Sequence, residues 1–354
     1  MAAYIILVAV PILFQIYFRK RRDSKIAIIS FFILLIGILA FRSISVGTDL
    51  ATYVPWFKKL HNTAWRGVTD AIENIEVGFL YLTKLISVFS GNEQVYLAVI
   101  ACITVIPIFI LFYKESENAI LSISIFLILP NFIMLFSGLR QAIAIGLGVP
   151  AYYLARKKKI FWFLCIVAFA MLFHKSAFIL LLLYPLLHVR ITKKWLWFVV
   201  PCMAIMLLFN ARIFNFLLQF LDETYQERYG EIESTGAYTM IILFVLFAIY
   251  AFIVPSSQKL DEATIGLRNI LLLTVCIQFF APLNSIAMRM NYYFLSFLPI
   301  LIPKIANRCK ESDVKLISHS KAVMVVFFVV YFLIKTATGI DTLNIYPYIP
   351  FWAE

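Results

Sequence analysis

Charge is scarce in these 354 residues, and acidic charge is scarcer still: 14% of positions are Asp, Glu, Lys or Arg, with 19 acids against 31 bases. A soluble domain of this length needs far more polar surface, so the 63% hydrophobic content and mean hydropathy of +0.92 exclude that class and leave a polytopic membrane protein. Histidine is rare too, at four residues. Cysteine offers neither a disulfide framework nor a CxxC metal site. Cys102, Cys165, Cys202 and Cys276 fall inside apolar runs, and Cys309 sits in a basic loop. The formal charge of +12 does not point to nucleic acid, because the cations lie in short clusters between apolar segments, where they orient helices in a bilayer.

Those clusters set the topology. Ala2 to Phe18 is apolar and precedes Arg19-Lys20-Arg21-Arg22, an order that suits an anchor with its N-terminus outside rather than a cleaved leader. Ile26 to Phe41 returns to the outer face and opens a long external loop, residues 42–94. Within it, Glu76 to Ser90 is apolar but contains Lys84 and falls short of the roughly 20 residues a span needs. A crossing there would turn the clusters at Arg156 to Lys159, Arg190 to Lys194 and Arg308 to Lys321 outwards. An amphipathic or re-entrant helix on the outer face is therefore expected near 76–90. The whole chain then reads as one all-α integral membrane domain, residues 1–354, with about twelve transmembrane helices and both termini outside. Its spans are expected near 95–113, 119–136, 139–155, 160–173, 176–189, 195–209, 237–254, 265–283, 285–306 and 322–340 besides the first two. A second external loop, residues 210–236, carries Asp222, Glu223, Glu227, Arg228, Glu231 and Glu233 and is expected as a solvated helix.

The polar break Ser137-Gly138-Leu139-Arg140-Gln141 between two uncharged runs is the informative stretch. Ser137 is expected as an N-cap and Gly138 as a tight turn, placing Arg140 in a helix's first turn beside unpaired N–H groups. A cation there opposes the helix dipole unless an anion binds with it. On the topology above, His174-Lys175-Ser176 and Asn284-Ser285 with Arg289 open two further outward-facing helices. Together they describe a cationic, donor-rich pocket suited to a phosphate or diphosphate. Asp49, Glu73 and Glu76 add carboxylates for a base or a sugar site, and Tyr53, Trp56 and Trp65 add flat faces for a pyranose.

Val46-Gly47-Thr48-Asp49 with Tyr53, Glu76-Val77-Gly78-Phe79, Gly138-Leu139-Arg140-Gln141 with Ala142 and Ala144, and Phe173-His174-Lys175-Ser176-Ala177 follow one another in an order that resembles the EpsG family and Wzy-type O-antigen polymerases. The likeness runs from about Gly47 to Arg289 and on to Tyr346-Pro347-Tyr348. It implies a multi-pass enzyme of the bacterial inner membrane, similar in architecture to the O-antigen ligase and other polyprenyl-dependent glycosyltransferases. The implied activity polymerises undecaprenyl-diphosphate-linked oligosaccharide repeat units at the periplasmic face, for O-antigen, capsule or exopolysaccharide. The partners it implies are that lipid-linked oligosaccharide and the bilayer, with a chain-length regulator and a flippase as candidate protein partners and no cofactor, metal or nucleic acid. Arg140, His174, Arg289 and Asp49 are the candidate catalytic residues. Glu76, Tyr53, Lys175 and Gln141 are the candidate substrate-binding residues. The alternatives are a ligase-type transferase and a lipid-linked oligosaccharide flippase or other transporter; most helices are uncharged at their centres, with Asn131 and Gln278 as exceptions, which disfavours transport.

Overall fold

The computed structural model describes residues 1–18, 25–219, 237–256, 260–339, 341 and 343–353, and among these every regular element is a helix or 3₁₀ turn. In hydrocarbon each backbone N–H and C=O must find a partner within its own segment, and a helix supplies it. The chain divides into two compact units, residues 1–181 with 319–354 and residues 182–318.

In the first unit, α1 (Ala2–Tyr17) packs on α2 (Lys25–Ala40), α2 packs on α5 (Glu93–Glu115), α5 on α8 (Leu139–Arg156), and α8 on α9 (Ile160–Met171). Before α5, α3 (Leu50–His61) and α4 (Val77–Phe89) lie against each other. Between α5 and α8 the expected span 119–136 is broken into α6 (Ala119–Ile128) and α7 (Pro130–Met134), because Pro130 at the first position of α7 has no N–H to continue the ladder. In the second unit α10 (Leu183–His188), α13 (Tyr238–Ile253) and α15 (Ser285–Leu295) pack around α14 (Glu262–Gln278). Helices α11 (Leu196–Leu208), α12 (Asn210–Leu218) and α16 (Leu298–Asn307) complete it. The last helix, α17 (Val314–Thr338), leads back into the first unit. Helix starts are chemically marked: the side chains of Asn92, Asn118, Asp261 and Asn284 accept from the first-turn N–H groups of α5, α6, α14 and α15.

Apolar side chains point outwards as well as inwards. On α17, Val323, Val326, Phe327, Val330 and Ile334 are exposed, and on α9 so are Phe161, Trp162, Leu164 and Phe169. Such surfaces suit a bilayer as the surrounding medium. Two of the described helical segments, Glu93–Glu115 and Glu311–Thr338, are long and apolar enough to cross a membrane, or up to four if each of two bent pairs counts as one span. Those pairs are Lys193–Leu208 with Asn210–Phe216, bent by 81°, and Ser285–Leu295 with Leu298–Asn307, bent by 52°. Each of the twelve expected segments is helical at least in part, but six of them are apolar helices shorter than 18 residues. At 1.5 Å per residue a 16-residue helix rises about 24 Å, less than the roughly 30 Å hydrocarbon layer. The acidic run Asp222 to Glu233 and the cluster Arg19 to Arg22 lie outside the described residues.

The segment 42–94 forms its own small core of Leu60, Val68, Ile72 and Leu80. Lys84, the charge that argues against a span, is buried there and donates through Nζ to the carbonyls of Leu60 at 3.0 Å and His61 at 3.2 Å, closing the C-terminus of α3.

Candidate active site

Four separated stretches meet in the first unit, and glycines let them do so. Gly47 has φ +108°, a conformation that penalises any side chain, and a Cβ on it would sit 2.1 Å from the Phe136 carbonyl oxygen. Gly78 donates its N–H to Leu172 O at 2.8 Å, and a Cβ there would lie 2.7 Å from that same oxygen. The first glycine seats Thr48 and Asp49 against the start of α8. The second seats the start of α4 against the end of α9.

Ser137 does not cap α8 as expected; the residue flanking that helix is Gly138, which carries no capping side chain. The Ser137 hydroxyl instead accepts from Asp49 N at 3.1 Å and shares a 2.9 Å hydrogen bond with the Thr48 hydroxyl. A tertiary partner 88 residues away has displaced the local cap. Behind this tie, Gly47 N donates to Asn344 O at 3.1 Å and Thr48 N to Leu343 O at 3.0 Å, so the segment after α17 backs the motif. That segment is itself held by Asp341, whose carboxylate accepts from the N–H groups of Leu343, Ile345 and Tyr346.

At the centre stands Glu76, at the N-terminus of α4. One carboxylate oxygen pairs with the Arg140 guanidinium. The other lies 3.1 Å from His174 Nδ1 and accepts from Lys175 N at 3.2 Å. Arg140 Nε donates to the Tyr53 hydroxyl at 3.3 Å. The anion that offsets Arg140 beside the positive end of α8 is thus Glu76. Burial pushes the Glu76 carboxyl upwards in pKa, but the His174 hydrogen bond and the Arg140 charge outweigh it and hold the group at about 2. Glu76 is therefore a carboxylate at neutral pH. With Nδ1 of His174 turned to that carboxylate, the tautomer protonated there leaves Nε2 as a proton acceptor.

The site is not sealed. The Arg140 side chain is 24% exposed and that of His174 22%, against 9% for Glu76. Asp49 is half-buried, Lys175 is exposed, and Thr48 reaches the Asp49 carboxylate at 3.4 Å. Tyr53 is enclosed by Trp56 and Phe79, at centroid distances of 5.5 and 5.3 Å, so it presents its hydroxyl to the site rather than a flat face. Gln141 is buried within the first unit, one residue past Arg140. Arg289 is exposed on α15 and belongs to the second unit, where Asn284 caps its helix by accepting from Ile286 N at 2.9 Å. The contributions of Ser137, Leu172 and residues 343–344 went unread in the sequence; only the glycines in polar breaks hinted at close backbone approach.

These features define an all-helical, membrane-compatible protein whose polar site joins a carboxylate, an arginine and a histidine from three distant stretches. A family model described as the EpsG family matches residues 25–349, and the chain belongs to that family. Membership suggests a membrane protein of polysaccharide biosynthesis, of glycosyltransferase-like polymerase type. No curated protein and no solved structure matches the chain.

Proposed function

We propose that the protein polymerises undecaprenyl-diphosphate-linked oligosaccharide repeat units at the periplasmic face of the inner membrane. The observation that supports this reading best is the double engagement of Glu76, which holds a phosphate-type cation on one oxygen and a potential base on the other. In the reaction, a hydroxyl of one lipid-linked unit attacks the anomeric carbon at the reducing end of a chain carried on a second lipid. The bond between that carbon and the diphosphate oxygen breaks, and its electron pair leaves with the diphosphate. The hydroxyl proton passes to His174 Nε2, and Glu76 stabilises the resulting imidazolium.

Arg140 meets the developing negative charge on the diphosphate. Two of its nitrogens are tied to Tyr53 and Glu76, which fixes the plane of the guanidinium before substrate arrives, and preorganised donors stabilise charge without reorganising. Lys175 supplies further positive charge to the diphosphate, Asp49 the carboxylate nearest the acceptor sugar, and Gln141 a second polar group at the start of α8.

The test is reconstitution. Purified protein given only undecaprenyl-diphosphate repeat units should yield a ladder of products still attached to undecaprenyl diphosphate. A single transfer event that requires a lipid A core would replace this reading with a ligase. Movement of the lipid-linked unit across vesicles without any new glycosidic bond would replace it with a flippase.

A further inference from the structure

A polar cavity of about 510 Å³ lies in the first unit, lined by Ile44, Gly91, Asn92, Glu93, Gln94 and Phe351. It stands apart from the Glu76 cluster and shares no residue with it. Its chemistry is mixed and close to neutral. Asn92 and Gln94 bring two carboxamides, each with donors and an acceptor. The Glu93 carboxylate is offset by Lys58 Nζ at 2.5 Å, so the cavity offers no net cation for a phosphate. Beside it stands an exposed aromatic group. Phe351 is 41% exposed, Phe41 50% and Trp352 68%. Phe41 stacks on Phe351 at 6.2 Å and 28°, and Trp352 meets Phe351 edge-on at 5.1 Å. Donors, acceptors and flat apolar faces without net charge fit a neutral polyhydroxylated ligand, whereas an acyl or prenyl chain has no use for carboxamides.

Two stretches of chain run between the Glu76 cluster and this cavity. Ile44 in its wall is five residues from Asp49, a separation of at most about 18 Å for extended chain. Residues 41–48 also pair in antiparallel sense with residues 343–351: Thr48 and Gly47 bond to Leu343 and Asn344 at the site end, while Ser43 N reaches Ile349 O at 2.8 Å and Phe351 N reaches Phe41 O at 2.9 Å at the cavity end. In parallel, α3 starts at Asp49 and finishes at His61, whose Nδ1 lies 2.8 Å from Ser87 O and whose ring packs against Gly91.

We infer that the cavity between Phe351 and Asn92–Gln94 is a saccharide-binding subsite that holds the glycan of the lipid-linked chain at a distance from the reacting sugar. This rests on the polymerase reading for the identity of the glycan but not for the site's capacity to bind one. A grip on sugars remote from the bond being made keeps a growing chain from leaving between additions.

The probe is the reducing oligosaccharide released by mild acid from the host's own lipid-linked repeat units, titrated calorimetrically into the full chain in nanodiscs. Wild type should bind it saturably, and Phe351→Ala/Trp352→Ala should bind it at least tenfold more weakly. Phe351→Tyr and Trp352→Phe should stay within about threefold, since they keep the flat faces. Arg140→Lys should bind the free saccharide as wild type does, because the subsite contains no part of the Glu76 cluster. Should the double variant not accumulate, Glu93→Gln, which removes the Lys58 pair and one acceptor, should weaken binding by fivefold or more. No saturable binding to wild type overturns the subsite, as does unchanged affinity in the aromatic and Glu93 variants, which would leave Phe351 and Trp352 as residues of a bilayer belt. Saccharide binding in a protein that makes no ladder would keep the subsite and remove the polymerase reading. A ladder without saccharide binding would do the reverse.

Discussion

Arg140-Gln141 and Arg268-Asn269 are the same pattern in sequence, an arginine followed by an amide in a helix rich in apolar residues, and the structure uses them in opposite ways. Arg268 is buried in the second unit, donates through Nη2 to Ile191 O at 2.6 Å, and lies 4.0 Å over the Phe252 ring. Asn269 adds bonds from Nδ2 to Leu186 O at 2.9 Å and Val189 O at 2.6 Å. This pair latches the loop that follows α10 by its backbone carbonyls. Arg140 bonds side chains only, one of them the Glu76 carboxylate, which also meets His174. A backbone carbonyl neither titrates nor exchanges for a substrate oxygen, whereas a carboxylate shared between a cation and an imidazole can do chemistry. Partners and access, not residue type, separate a site from a strut.

The largest effect that should sharpen the contrast comes from Glu76→Gln. It removes the charge that offsets Arg140 and leaves a single acceptor oxygen for Arg140 and His174, with an amide donor facing one of them, and should lower polymerisation by about 10³-fold at normal protein level. A loss under tenfold in the ladder assay would reduce Glu76 to a packing residue and erase the difference from Arg268. Arg140→Lys comes next. A lysine keeps the charge but not the fork that reaches Tyr53 and Glu76 together, and the expected loss is about 10²-fold in kcat, in the range of a single lost oxyanion donor. Full activity in Arg140→Lys would return Arg140 to a simple interfacial cation.

Much of the first unit could be anticipated from residues alone. The polar break at 137–141 does open a helix with Arg140 in its first turn, and the apolar stretch that holds Lys84 does form a short helix, α4. The hidden part is tertiary. Glu76 lies 64 residues from Arg140 and 98 from His174, so no local spacing reveals that one carboxylate serves both. Ser137 carries the residue type of a cap and sits where a cap belongs, yet Asp49 N competes for the same oxygen and wins. Helix lengths were harder to read than helix positions, because Pro130 breaks one run while the bends of 81° and 52° interrupt two others within stretches still apolar enough on average for a span.

The contrast also has a pH dependence. Folding takes Glu76 from an ordinary value of 4.5 to about 2. A depressed carboxyl pKa contributes stability that is complete above the unfolded value and is lost as pH falls towards the folded one. The protein in detergent should therefore lose Tm between about pH 5 and pH 3 more steeply than Glu76→Gln does, because the amide has no proton to take up. Parallel curves for the two proteins would mean that the acid sensitivity resides elsewhere and that the bridge contributes little to folding.

The smallest effect on catalysis is expected at the strut. Arg268→Gln keeps a planar donor but shortens it and removes the charge from above the Phe252 ring, so the bond to Ile191 O is lost or weakened and a part-buried carbonyl goes without its partner. Leaving such a group unsatisfied costs about 1–3 kcal/mol, enough to lower accumulation and thermal stability. The chemistry has no stake in that carbonyl. Specific activity per folded molecule, measured after size exclusion, should stay within about threefold of wild type, while the midpoint of unfolding falls by several degrees. If instead activity drops a hundredfold in protein whose unfolding midpoint is unchanged, Arg268 acts on substrate, and the division between partner types drawn from Arg140 fails at the residue chosen to represent its other side.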